Sequence, residues 1–133
     1  MFRLNNLLKQ LVPVILTALV LSCKNKYEKA VTGNYEVYEY KNKDTASASP
    51  LLVGSKLTLN EDNTFLFVID KKQLNGKWNA GDDGDRTWIR FEFNSITSDG
   101  VIGGDSFNII EIVNPQDFGC PSLESLSYKR LIE

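Results

Sequence analysis

From Tyr35 onward, apolar and polar residues alternate in short runs, each closed by a polar cluster. A period of two belongs to half-buried strands, because successive side chains on a strand point to opposite faces. Tyr35–Tyr40 is the first such run. The Lys41 to Pro50 stretch, rich in Ser, Ala, Asp and Lys, is a loop. Leu57 and Leu59 share one face of Lys56–Asn60, Glu61–Asn63 turns the chain, and Thr64–Ile69 follows as the most β-prone run. Leu74, Gly76, Trp78 and Ala80 again fall on one side, and the tip Gly81–Asp85 reverses the chain, since Asp-Gly readily adopts positive φ. Thr87–Phe93 has the cleanest pattern, with Ile89, Phe91 and Phe93 inward and Trp88, Arg90 and Glu92 outward. Ser98–Gly100 is predicted as the next turn and Val101–Gly104 as a short or bulged strand. Phe107–Val113 is a strand stopped by Asn114 and Pro115, and Ser125–Ile132 closes the series. About eight short strands at this spacing predict an all-β domain. Nearest-neighbour hairpins favour a small up-and-down antiparallel β-barrel, whose closure removes exposed sheet edges. No helix is predicted in this part of the chain.

The first residues follow another pattern. Arg3 and Lys9 precede an apolar run, Leu11–Leu21, which Ser22 and Cys23 follow. A basic segment, a short apolar core and a small residue make a secretory signal, because a spanning helix needs about 20 apolar residues. Val20-Leu21-Ser22-Cys23 resembles the lipobox of bacterial lipoproteins. That resemblance implies cleavage before Cys23, lipid attachment (palmitate or a similar acyl chain) on Cys23, and anchoring in the bacterial cell envelope. An ordinary cleaved signal and an uncleaved anchor are the alternatives. The expected organisation is a signal peptide over 1–22, a lipidated tether over 23–31 and the barrel domain over 32–133. Lys24 stands where an Asp favours inner-membrane retention in some lipoproteins, which points to the outer membrane.

Removing residues 1–22 leaves about 110 of the 133 residues, enough for one small domain. The removed part carries two bases and no acid, so the net charge of −2 becomes about −4 in the remainder. Nucleic-acid binding is not expected, since that affinity comes mostly from basic groups neutralising phosphates. The chain has no His, which removes imidazole catalysis and imidazole metal sites. With Cys23 acylated, Cys120 has no partner; it is a thiol without function, or it pairs between molecules in an oxidising compartment, or it is a nucleophile, for which the commonest base, His, is absent, or, if Cys23 is not acylated, it pairs with Cys23.

Three motifs together resemble the small lipocalin-like domains of bacterial lipoproteins, over about residues 31–132. Gly33-Asn34-Tyr35 is similar to the lipocalin Gly-x-Trp signature with Tyr in place of Trp. Leu57–Phe65 resembles the family's apolar strand, acidic turn and Thr-Phe hairpin, with Gly76-Lys77-Trp78 opening the next strand. Tyr128-Lys129-Arg130 sits where the family carries a basic residue near the closed barrel end. The resemblance implies Arg130 stacked over Tyr35 in a structural cation–π contact, with Lys129 as the second choice.

Inward aromatics offer the main candidate chemistry. Phe65, Phe67, Trp78, Phe91 and Phe93, joined by Phe107 and Tyr128, line either a pocket for a small apolar ligand or a self-filled core. Any cavity is expected at the end away from Tyr35 and Arg130. Asp82, Asp83 and Asp85 offer oxygen ligands, yet lack the spacing of an EF-hand loop and are taken as a hairpin tip, so no metal is assigned. Glu36 and Glu39 are expected on opposite faces of the first strand and cannot act as a pair. Trp88 marks a partner surface or packs sideways. The expected protein is a membrane-tethered binding protein, not an enzyme, with no cofactor. It binds a small apolar ligand, or alternatively an envelope protein, as an interaction or inhibitor-type lipoprotein working through its outer surface and loops.

Overall fold

A computed structural model describes residues 24–43 and 54–132. Eight strands follow in chain order: β1 (Gly33–Asn42), β2 (Lys56–Leu59), β3 (Thr64–Ile69), β4 (Lys72–Asp82), β5 (Thr87–Phe93), β6 (Ile96–Gly103), β7 (Ile109–Ile112) and β8 (Leu123–Arg130). Each pairs antiparallel with its sequence neighbour, and β8 returns to β1, closing the barrel. The up-and-down barrel predicted from alternation is therefore the observed fold. On β5, Ile89, Phe91 and Phe93 are buried while Arg90 and Glu92 are exposed, so the period of two directs each side chain as expected.

The strand directions define two ends. Gly33, the turns at 60–63 and 83–86, and Arg130 gather at the closed end; the turns at 70–71 and 94–95 and the segment 113–122 gather at the open end. A six-residue helix, α1 (Lys26–Val31), covers the closed end. The expected tether is thus helical over most of its length. Asn25 caps it by accepting a hydrogen bond from the Glu28 amide at 2.9 Å, and Val31 is fully buried. So short a helix is unstable in isolation, and docking on the barrel holds it, which is why its own residues carry no clear helical pattern.

Three further expectations change. The β5–β6 turn lies at Asn94 and Ser95, with φ of 48° and 62°, not at Ser98–Gly100. Two successive positive φ values suit the twist of a two-residue hairpin, and Ser98 and Gly100 run on inside β6 as buried positions. At Gly100 an added Cβ would lie 2.6 Å from the Glu111 carbonyl oxygen, so this glycine serves close strand contact rather than a turn. Secondly, Phe107 is not inward. It belongs to a 3-10 turn (Asp105–Phe107), is 36% exposed, and has φ of 54°, because Gly104 and Ser106 break the extended chain before β7 starts. Thirdly, a bulge between Val37 and Glu39 adds one residue to β1. It turns both Glu36 and Glu39 outward, opposite Lys129 and Ser127, and brings Tyr40 against the core instead. The two carboxylates share a face after all.

Candidate functional site

Aromatic rings fill the open half of the barrel. Phe65 meets Phe91 edge-on at 5.1 Å between centroids and Phe93 at 5.8 Å. Phe67 lies 6.0 Å from Tyr128. Into this cage projects Phe118, whose ring is 5.1 Å from Phe67, 5.3 Å from Phe91 and 4.9 Å from Phe93, and which is only 2% exposed. Offset and edge-to-face pairs at these spacings are attractive beyond their area. Phe118 does not come from a strand. It ends a four-residue 3-10 turn, Pro115–Phe118, and is followed by Gly119 in a left-handed conformation at φ 82°. The turn acts as a stopper for the open end. Beside it runs a groove of about 410 Å³ lined by Ile69, Leu74, Phe93, Ile96, Asp117 and Phe118.

Three hydroxyl groups, of Tyr128, Ser55 and Ser98, are buried among the strands. Tyr128 and Ser55 share a hydrogen bond of 2.7 Å, and the Ser55 hydroxyl donates to the Val68 carbonyl at 3.1 Å. Burial pushes the Tyr128 phenol well above its ordinary value, with the Ser55 bond opposing. Ser98 stands opposite Phe91 in the β5–β6 register, and its Oγ is buried without a partner among the described residues. Cross-strand partners on one face sit side by side, so this hydroxyl adjoins the ring that touches Phe118. Cys120, close behind the stopper, is a free buried thiol, and burial raises its pKa while Lys72 lowers it less.

At the closed end the Arg130 guanidinium lies 5.3 Å from the Tyr35 ring centroid. The stacked pair implied by the motif is therefore present, with Arg130 rather than Lys129. Arg130 also donates to the Tyr35 hydroxyl at 2.9 Å, to the Thr32 carbonyl at 3.4 Å and to the Ala30 carbonyl. Tyr35 in turn donates to the Val31 carbonyl at 2.6 Å. Burial raises the Tyr35 pKa, against the opposing charge and hydrogen bond of Arg130. The pair joins α1, β1 and β8 and is structural. Gly33 adopts a φ of 152°, which side-chain-bearing residues rarely take, so it is this backbone turn beside Arg130 that calls for glycine.

No protein-family model, curated protein or solved structure matches this chain. What the site can do follows from its side chains.

Of the five candidate pocket residues, Phe67, Phe91 and Phe93 touch the stopper, and Phe65 packs behind Phe91 and Phe93. Trp78 is the exception. It pairs with Phe91 across β4 and β5, but its indole N–H donates to the Asn60 carbonyl at 3.3 Å and the Lys24 ammonium sits 5.8 Å from its ring, both at the closed end. Trp88 packs sideways, against Gly81 and under the Arg90 guanidinium at 5.5 Å. The acidic tip uses its carboxylates locally. Asp82 accepts from the Gly84 amide at 2.6 Å and from the Tyr27 hydroxyl at 2.9 Å, which holds its pKa below the usual carboxylate range. Among the described residues no group of three or more His, Cys, Asp or Glu side chains could hold a metal, and no helix is long and apolar enough to cross a membrane. Cys23 and the signal segment lie outside the described residues. Sequence reasoning missed Phe118 and Ser98. The signal for Phe118 was a lone large aromatic among turn formers, between Pro115 and Gly119.

Proposed function

We propose that this protein is a lipid-anchored lipoprotein of the bacterial envelope, whose lipocalin-like barrel binds one small apolar molecule in the place now filled by Phe118. The basic segment, the short apolar run and Val20-Leu21-Ser22-Cys23 support the anchoring. One observation carries the binding: the ring at the centre of the aromatic cage belongs to a four-residue turn between β7 and β8, and not to the barrel wall. Swinging that turn outward exposes an apolar site with a few polar groups, the usual make-up of a small-molecule pocket. Ser98 Oγ, buried without a partner among the described residues, supplies one hydrogen bond to such a ligand. The work is binding rather than catalysis.

Titration of the Cys23→Ser chain with N-phenyl-1-naphthylamine, a neutral dye that fluoresces in apolar surroundings, tests the reading. One saturable site is expected, tightened about tenfold or more in Phe118→Ala because the competing ring is gone; a factor of ten corresponds to about 1.4 kcal/mol. Phe118→Leu, a smaller change, should give an intermediate affinity if the alanine variant folds poorly. Absence of saturable binding in all three proteins would overturn it. A second reading, work through the outer surface on an envelope protein, is favoured by one fact: Phe65, Phe67, Trp78, Phe91 and Phe93 are each at most 5% exposed, so the interior is full as it stands.

A further inference from the structure

The closed end of the barrel carries the chain straight to its anchoring residue. Only two residue steps separate Cys23 from Asn25, a reach of at most about 7 Å. Asn25 is fixed to the barrel, its side-chain amide donating to the Ala80 carbonyl at 2.7 Å. Lys24 already lies over Trp78. The helix that follows is held by the Tyr27 hydroxyl on Asp82, by Arg130 on the Ala30 carbonyl and by the buried Val31. A chain this short has no slack to let the barrel tumble on its anchor.

We propose that the closed end, capped by α1, is the face held against the lipid bilayer, so that the open end with its Phe118 stopper points away from the membrane. The inference rests on the lipid anchoring of Cys23. Apolar side chains stand exposed at this same end, Phe107 at 36%, Leu131 at 38% and Ile132 at 97%, against Ile96 at 39% and Val113 at 37% at the open end, so the most exposed of them lies beside the anchored helix. Phe107 meets the ring of Tyr27 on α1 edge-on at 5.8 Å, and Leu131 donates its amide to the Asn34 carbonyl at the start of β1, which ties these residues to the anchored helix. Charge at this end is mixed. Lys24, Lys26, Lys29, Arg86 and Arg130 share it with seven acidic side chains. Attraction to anionic lipid is therefore not what holds this face down; the acyl anchor and the apolar residues do so, and a zwitterionic bilayer suffices. The open end stands roughly 18 Å farther out, from strands averaging about seven residues at about 3.3 Å each with a barrel tilt. A ligand entering past Phe118 then comes from the aqueous side and not from the bilayer.

The experiment uses the lipidated full chain in phosphatidylcholine vesicles that carry a nitroxide on the lipid headgroup. A fluorophore is attached at Ile132→Cys, Asp85→Cys or Gln116→Cys, one at a time, in a Cys120→Ser background. Both closed-end labels should be quenched several-fold more than the Gln116→Cys label, with little change when salt is raised. Equal quenching of the three, or stronger quenching at Gln116→Cys, overturns the orientation and leaves the anchoring intact. A Cys23→Ser chain freed of residues 1–22 that still sediments with the vesicles after a high-salt wash overturns the anchoring, and this inference with it.

Discussion

Arg130 is the most connected side chain at the closed end, and its replacement by Met separates its charge from its packing. Methionine keeps an apolar stem of similar length, while the cation–π contact with Tyr35 and the bonds to the Tyr35 hydroxyl and the Ala30 and Thr32 carbonyls are lost. A cation–π contact of this kind contributes about 0.5–2 kcal/mol. Each hydrogen bond from a charged donor adds about 1.5–3 kcal/mol when protected from water, and less here because Arg130 is only half-buried. The expected cost of Arg130→Met is therefore about 3 kcal/mol. Tyr35→Phe keeps the ring and removes only the hydroxyl, with its bonds to Val31 and Arg130, and should cost about 1–2 kcal/mol. The double variant should be less destabilised than the two costs combined, by about 1 kcal/mol, since the residues touch. Urea unfolding of the Cys23→Ser chain followed by tryptophan fluorescence reads all four proteins. A cost for Arg130→Met under about 0.5 kcal/mol, or full additivity, would refute the claim that this pair ties α1 to the barrel.

Phe91→Ala should cost about 3–5 kcal/mol and Glu92→Ala at most about 0.5 kcal/mol in the same assay, because adjacent residues of β5 face opposite ways; equal costs would contradict the barrel. An added methyl at Gly76 would stand 2.1 Å from the Glu92 carbonyl oxygen, whereas Gly103 has open space around it. Gly76→Ala should thus lose about 3 kcal/mol or fail to fold, and Gly103→Ala should stay within about 1 kcal/mol of the parent by urea midpoint. Burial raises the pKa of Cys120, Tyr35 and Tyr128, so each favours the folded state when protonated. That stability is fully present below about pH 8.5, the ordinary thiol value, and is lost as pH rises past it and then past about 10, the ordinary phenol value. The urea midpoint should fall between pH 8 and 11, and in Cys120→Ser the fall should begin only near the tyrosine range; a flat or rising midpoint would contradict the assignment.

Alternation made the barrel legible in the sequence, because one buried face per strand leaves a period of two that β2, β3 and β5 carry cleanly. The misses have local causes. The Asn94-Ser95 turn uses residues that adopt positive φ less often than glycine, so Gly100 drew the turn towards itself although its lack of a side chain serves strand contact. The β1 bulge inverts the faces after Val37, and no single residue announces it. Helix α1 exists through tertiary bonds to Ala80, Asp82 and Arg130, all distant in sequence. The stacking of Arg130 on Tyr35 was readable from a motif, whereas Phe118 was not, since a ring that enters the core from a turn has no periodic neighbours to mark it.

In the proposed function, Phe118 holds a place which a ligand takes. Incorporating 4-fluorophenylalanine at position 118 of the Cys23→Ser chain and recording its fluorine resonance during titration with N-phenyl-1-naphthylamine measures this directly. One buried resonance is expected without dye, replaced on saturation by a resonance near that of the unfolded chain as the ring leaves the cage. A resonance that stays at its buried position while the dye saturates a site would contradict it.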